Sequence, residues 1–264
     1  MRRVLSAVAV SICLLSVSAG IALAVPPTND DIINATQVTS LPFTDMVDTT
    51  EASTAGDDPD CVGAGPTVWY VYSPATDQNL LADTFGSDYD TTLSAYTGSP
   101  GDLEQIACND DAGDDLQSAI LISAESGITY YFMVGAFASG PGGALVFNVD
   151  ETELQPAQMD VTVKGNGRFS RSGSATVSGT ATCNDGDSAL IDVTLEQRVG
   201  RIIIRGFGGT FLECDGNTQA WSVEVFGENG LFKGGRAVAS VFGESCGQFD
   251  CAFDFEQRTI SLKR

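Results

Sequence analysis

The sequence predicts an all-β protein made of two antiparallel β-sandwiches, the first jelly-roll-like and the second immunoglobulin-like. Three observations carry the prediction. Apolar and polar residues alternate at period two in run after run, and no apolar stripe of period 3.6 persists beyond two turns. Gly, Asp, Asn and Pro stand between the runs, where turns need them. A polar, Pro-containing stretch, residues 151–158, separates two segments that are each long enough to enclose a core.

Residues 1–24 read as an export signal. Arg2 and Arg3 precede the apolar stretch Val4–Ser18, and Ala22-Leu23-Ala24 supplies a small-residue cleavage site before Val25. Cleavage there is expected to release a secreted, extracellular protein. The first domain, 25–150, then offers eight alternating runs: Leu41–Val47, Thr67–Ser73, Asn79–Phe85, Thr91–Thr97, Leu103–Asn109, Ser118–Ser123, Thr129–Phe137 and Ala144–Val149. Eight short strands between turns fit a jelly-roll sandwich. The linker is 151–158. The second domain, 159–264, offers seven runs: Val161–Lys164, Ser174–Cys183, Leu190–Gln197, Arg201–Phe207, Gln219–Phe226, Arg236–Phe242 and Thr259–Leu262. Seven is an immunoglobulin-like number, although the Cys…Trp…Cys spacing of antibody domains is absent.

Charge divides the chain at the same place. Val25 to Gln155 holds 22 Asp and Glu and no Lys, Arg or His, whereas eleven basic residues and thirteen acids share the remainder up to Arg264. Two like charges ~10 Å apart in water repel by roughly 0.4 kcal/mol before screening. Such a half either spreads its acids over a solvated surface or neutralises some with a bound metal. A general adaptation to salt would act on both halves, and the second is nearly neutral. The net charge excludes nucleic acid as a partner.

Beyond the signal the chain carries six cysteines, Cys61, Cys108, Cys183, Cys214, Cys246 and Cys251, an even number that reads as three disulfides in an oxidising compartment. If pairing stays within each half, Cys61 meets Cys108 and three arrangements remain for the others. The most local joins Cys183 to Cys214 and Cys246 to Cys251.

Catalytic signatures are few. The sequence has no histidine, which removes the commonest general base and transition-metal ligand. Gly243-Glu-Ser-Cys-Gly247 matches the G-x-S-x-G pattern, but a hydrolase also needs a strand-turn-helix elbow and a histidine. The carboxylates, however, cluster in turns: Asn29-Asp-Asp31, Asp57-Asp-Pro-Asp60, Asp88-Tyr-Asp90, and Asn109-Asp-Asp-Ala-Gly-Asp-Asp115. Calcium takes six to eight such hard oxygens. None of these turns has EF-hand spacing, and turn-forming Asp and Asn also serve solubility alone.

At these turns the first half resembles a known family. Pro26-Pro-Thr-Asn-Asp-Asp-Ile-Ile-Asn-Ala35, Thr67-Val-Trp-Tyr-Val-Tyr-Ser-Pro74, Tyr89-Asp-Thr-Thr-Leu-Ser-Ala-Tyr-Thr-Gly98, Ala107-Cys-Asn-Asp-Asp-Ala-Gly113 and Gly127-Ile-Thr-Tyr-Tyr-Phe-Met-Val-Gly135 occur in that order. Together they resemble the bacterial pre-peptidase C-terminal (PPC) domain over Asn29 to Val149. The resemblance implies a β-sandwich appended to exported enzymes, with calcium bound at the start of the domain in some members. Asn29 and Asp30 match the family's opening Asn-Asp. Asp57 and Asp60 stand where further ligands lie, at a different spacing, and the glutamates that precede the Asn-Asp are replaced by Pro27 and Thr28. The candidate calcium ligands are therefore Asn29, Asp30, Asp57 and Asp60, with Asn109, Asp110 and Asp111 added from the acidic turn after Cys108. The second half is loosely similar to secreted bacterial immunoglobulin-like domains without assigned function.

The expected function is a non-catalytic binding or adhesion module that recognises an extracellular polysaccharide or protein, with Tyr89, Tyr96, Phe137 and Trp221 as candidate stacking rings. Core packing is the competing role for each of them. The alternatives are a glycosidase using paired carboxylates, or an accessory, inhibitor or chaperone of a separately encoded enzyme.

Overall fold

The computed structural model describes residues 25–112, 116–184 and 188–264. Residues 1–24, read from the sequence as an export signal, lie outside the described residues, as do Asp114 and Asp115. The first half folds as a sandwich of β1 (Thr36–Gln37), β2 (Phe43–Asp48), β3 (Thr67–Tyr72), β4 (Gln78–Asp83), β5 (Thr91–Ser99), β6 (Asp102–Asn109), β7 (Ala119–Ala124), β8 (Tyr130–Ala136) and β9 (Ala144–Glu151). One sheet has the order β1-β3-β8-β5-β6 and the other β2-β9-β4-β7. All eight expected runs are strands; β1, a two-residue parallel partner of β3, is additional.

Both faces of the five-stranded sheet are covered. Towards the other sheet, Val68, Tyr70, Leu93, Phe132 and Val134 pack on Leu80, Ile120, Leu145 and Phe147. On the far face Trp69, Tyr96 and Met133 are buried beneath Ile32, Ala35, Ala64 and Leu103. This double burial gives β3 and β8 nearly continuous apolar sequences instead of alternating ones. It also fixes where the acids go, because the segments that cover Trp69 are the acidic turns.

The second half contains β10 (Met159–Val163), β11 (Asn166–Phe169), β12 (Ala175–Cys183), β13 (Ser188–Val199), β14 (Ile202–Glu213), β15 (Gln219–Gly227), β16 (Gly235–Cys246) and β17 (Cys251–Lys263). Its all-β character is as expected, and its strands are not divided between two sheets. They form one eight-stranded sheet, order β10-β12-β11-β17-β16-β13-β14-β15, which an additional β12–β15 pairing closes into a barrel. The strands are long: β13, β14 and β16 have 12 residues each and β17 has 13. Closure leaves fewer free edges. At the β12–β15 seam Gly179 lies under the Trp221 ring, where a Cβ would stand 1.7 Å from the Thr162 carbonyl oxygen and 2.6 Å from the indole.

Two carbonyls between β9 and β10 are bonded to the rest of the protein. The Leu154 carbonyl accepts from Asn79 Nδ2 of the first body at 2.9 Å, and the Pro156 carbonyl accepts from Asn184 Nδ2 of the second at 3.0 Å. The disulfides are Cys61–Cys108, Cys183–Cys214 and Cys246–Cys251, the most local of the expected arrangements.

Candidate functional site

The Cys61–Cys108 bridge, with Cα atoms 5.9 Å apart, draws the turn ending at Asp60 against the turn that starts at Asn109. Two acidic turns 47 residues apart in sequence thereby become neighbours. Four of the candidate ligands, Asn29, Asp30, Asp60 and Asn109, are engaged by the protein itself. Buried Asn29 donates its amide to the Trp69 carbonyl at 3.1 Å and accepts from the Trp69 N–H at its own carbonyl. Asp30 uses one carboxylate oxygen for the Ser53 N–H and the other for the Ser53 hydroxyl, at 2.6 and 2.7 Å. Asp60 accepts from the Gly63 N–H, and Asn109 Oδ1 accepts from the Ala119 N–H.

Asp57 is exposed, while its neighbour Asp58 is built into the fold. Asp58 accepts from the Ala55 N–H at 2.8 Å, the Thr67 hydroxyl at 2.6 Å and the Trp69 indole N–H at 3.3 Å. Spacing within Asp57-Asp-Pro-Asp60 gave no signal that the middle acid carries this role. Asp90 faces Asp110 and Asp111. Burial first, then those two charges, raises its carboxyl above the usual range, and one of its oxygens has no hydrogen-bond partner among the described residues. Among the described residues no three carboxylates bring oxygens within 4.8 Å of one another. Glu244 with Cys246 and Cys251 does form such a group, but the two sulfurs are bonded to each other.

A sizeable cleft lies elsewhere. β6 is the edge of one sheet of the first body and β7 the edge of the other. They meet where Asn109 holds Ala119, and a cleft of about 970 Å³ opens beside them. Its walls include Gln105, Ile106, Ile120, Ile122 and Ile128, and Pro156, Ala157, Phe249 and Asp250 close it from the linker and the β16–β17 turn. Ile106 and Ile128 are exposed within it. Glu125 and Asp250 are its carboxylates. Asp250 accepts from the Ala157 N–H at 2.7 Å; burial raises its carboxyl, and its second oxygen is enclosed without a partner among the described residues.

The expected stacking rings take the competing role. Tyr96 and Trp221 are buried, Phe137 is half-buried, and Tyr89 packs on the inter-sheet core, where burial pushes its hydroxyl up to about 12. The exposed rings are phenylalanines of the second body instead. Gly243 to Cys246 lie within β16, and Ser245 is fully buried there, so the G-x-S-x-G match forms no nucleophile elbow.

A model of a family of unknown function (DUF6299) matches residues 157–242, which is the larger part of the barrel. No curated protein matches the chain. Among solved structures, a β-glucuronidase of Parabacteroides merdae is 9% identical over 78% of this chain and 30% of its own, at a TM-score of 0.29. An exo-chitosanase of Amycolatopsis orientalis is 11% identical over 72% and 25%, at 0.23. A β-glycosidase of Bacteroides vulgatus is 8% identical over 77% and 28%, at 0.21. The chain spans less than a third of each of these three proteins, and likenesses of this size assign neither a fold family nor an activity.

Proposed function

We propose that the chain is an exported, non-catalytic binding protein that takes an extended segment of a partner polypeptide along the open edges of β6 and β7. The observation that carries the reading is the cleft itself. A sheet edge presents unpaired N–H and C=O groups to an added strand, and apolar hollows beside it select alternate side chains. Ile106 and Ile128 leave apolar surface in water on those walls. The cation-free half, with Asp102 and Glu104 on β6 and Glu125 in the cleft, favours a basic segment over an acidic one. Export is supported by the signal-like residues 1–24 and by three disulfides. A PPC-like first body is supported by its two-sheet sandwich, with quoted segments on β3, β5, β6 and β8.

The test uses a fluorescein-labelled ten-residue peptide alternating Lys and Val, against one alternating Glu and Val, read by anisotropy. The lysine peptide binds, and Ile106→Asp or Ile128→Asp weakens it at least tenfold. If neither peptide binds, or both variants bind like wild type, the reading fails. Binding to cell-wall polysaccharide alone would put a glycan in the cleft instead.

Calcium is proposed as a stabiliser of the paired acidic turns, where Asp90, Asp110 and Asp111 share a field with no cation to offset it. A second reading of the cleft rests on Glu125 and Asp250, a carboxylate pair in which burial raises one member, as glycoside hydrolysis requires. Hydrolysis of a glycan panel that is lost in Asp250→Asn would favour it.

A further inference from the structure

The outer face of the barrel is unusually aromatic. Phe253 and Phe255 on β17, Phe242 on β16, Phe207 and Phe211 on β14 and Phe226 on β15 all point into water. The register sets three of them on β16 and β17 and three on β14 and β15, with β13 between the two groups. One row runs Phe253, Glu244, Leu190, Phe211; the next runs Phe255, Phe242, Asp192, Gly209; a third runs Gln257, Ser240, Thr194, Phe207, Phe226. Phe242 and Phe253 already stack, with centroids 5.7 Å apart and planes at 23°.

Five of the six rings are 59–77% exposed and Phe242 is 37% exposed. At about 200 Å² per ring they leave roughly 700 Å² of aromatic surface in water. Monomeric proteins rarely expose more than about 300–600 Å² in one patch, and a stable interface takes about 800 Å² from each partner.

Charge on this face is divided along the strands. Glu213, Glu244 and Asp192 lie towards the Cys246–Cys251 end of the strands, whereas Arg198, Arg236 and Arg205, the last of them paired with Glu196 at 2.7 Å, lie towards the Gly200 turn. A second copy laid face to face with its strands antiparallel puts the arginine end of each over the acidic end of the other, with the aromatic rows meeting between. Such an isologous two-fold contact is self-complementary by symmetry. It also joins the near-neutral halves, while a face-to-face approach through the first bodies would oppose two cation-free surfaces.

We infer that this face is a homodimer interface. It uses strands other than the β6 and β7 edges, so it stands or falls independently of the cleft reading. The experiment is sedimentation velocity of the mature chain from 1 to 100 µM, with Phe207→Ser, Phe242→Ser, and Ile33→Ser as an exposed control on the first body. Wild type and Ile33→Ser sediment as dimers, and each phenylalanine variant raises the dimer Kd at least tenfold while retaining the wild-type circular dichroism spectrum. A wild-type monomer at 100 µM overturns the inference, even if the chain binds lipid vesicles or another protein. A dimer that both phenylalanine variants leave intact overturns it as well.

Discussion

Asp58 is the acid whose removal should cost most. In Asp58→Ala, the Trp69 indole N–H loses the partner it has at 3.3 Å, and the Thr67 hydroxyl keeps only a 3.4 Å contact to the Ser53 carbonyl. Both residues are fully buried, so water does not replace the carboxylate at either. A buried polar group left unpaired costs about 1–3 kcal/mol, and the half-exposed Ala55 N–H adds little, which gives about 2–4 kcal/mol in all. Asp57→Ala removes the same charge from the exposed neighbouring residue, so relief of like-charge repulsion cancels between the variants. The protein has one tryptophan in each body, so a Trp221→Phe background leaves Trp69 as the sole fluorescent reporter of the first. In urea, Asp58→Ala should lower the midpoint by about 1–2 M, while Asp57→Ala stays within error of the background. Equal midpoints for the two variants would refute the claim that hydrogen bonds to one buried-facing carboxylate hold this turn.

Three further outcomes follow from the same geometry. Replacing Cys61 and Cys108 by Ser opens a loop of 47-residue separation and should cost about 4 kcal/mol, against about 2 kcal/mol for Cys246 and Cys251 at a separation of 5; chemical denaturation of both double variants checks the order. Burial raises the Asp250 carboxyl, so the folded state holds that proton more tightly, and stability falls as pH rises from the ordinary carboxylate value through the raised one. Asp250→Asn retains an acceptor for the Ala157 N–H, so it should melt higher than wild type at pH 7 and equal to it near pH 3 by scanning fluorimetry; a pH-independent difference would contradict this. Calcium at one hundred times its Kd should stabilise the fold by about 2.7 kcal/mol over chelator, and the gain should vanish when Asp110 and Asp111 are both changed to Ala. Identical melts in calcium and chelator remove the metal from the account.

The strands were legible because one-sided burial prints a period of two on the sequence, and in the first body even the doubly buried β3 and β8 kept their apolar, β-branched and aromatic character. Local disulfide pairing was equally accessible. What sequence did not reveal came from contacts between distant segments. Phe253-Asp-Phe-Glu256 lies outside the expected runs, and in it the two rings face solvent. Asp254 and Glu256 point the other way, because they accept the N–H groups of Val161 and Val163 on β10. A one-residue choice of register reverses every side chain of a strand, and only the position of β10 decides it. The cleft was hidden for a similar reason. Nothing local marks β6 and β7 as the edges of two sheets, or places Phe249 and Asp250 beside them. Among the acids, composition identified the turns but not the division of labour between Asp57 and Asp58.

Hydrogen exchange tests the central claim, that the open edges of β6 and β7 receive an extended peptide, most directly. With the Lys-Val peptide at saturation, amides within 105–108 and 120–123 should slow, and the exposed faces of β14 and β17 should exchange as before. Protection confined to the barrel, or none anywhere despite measurable binding, would contradict the account.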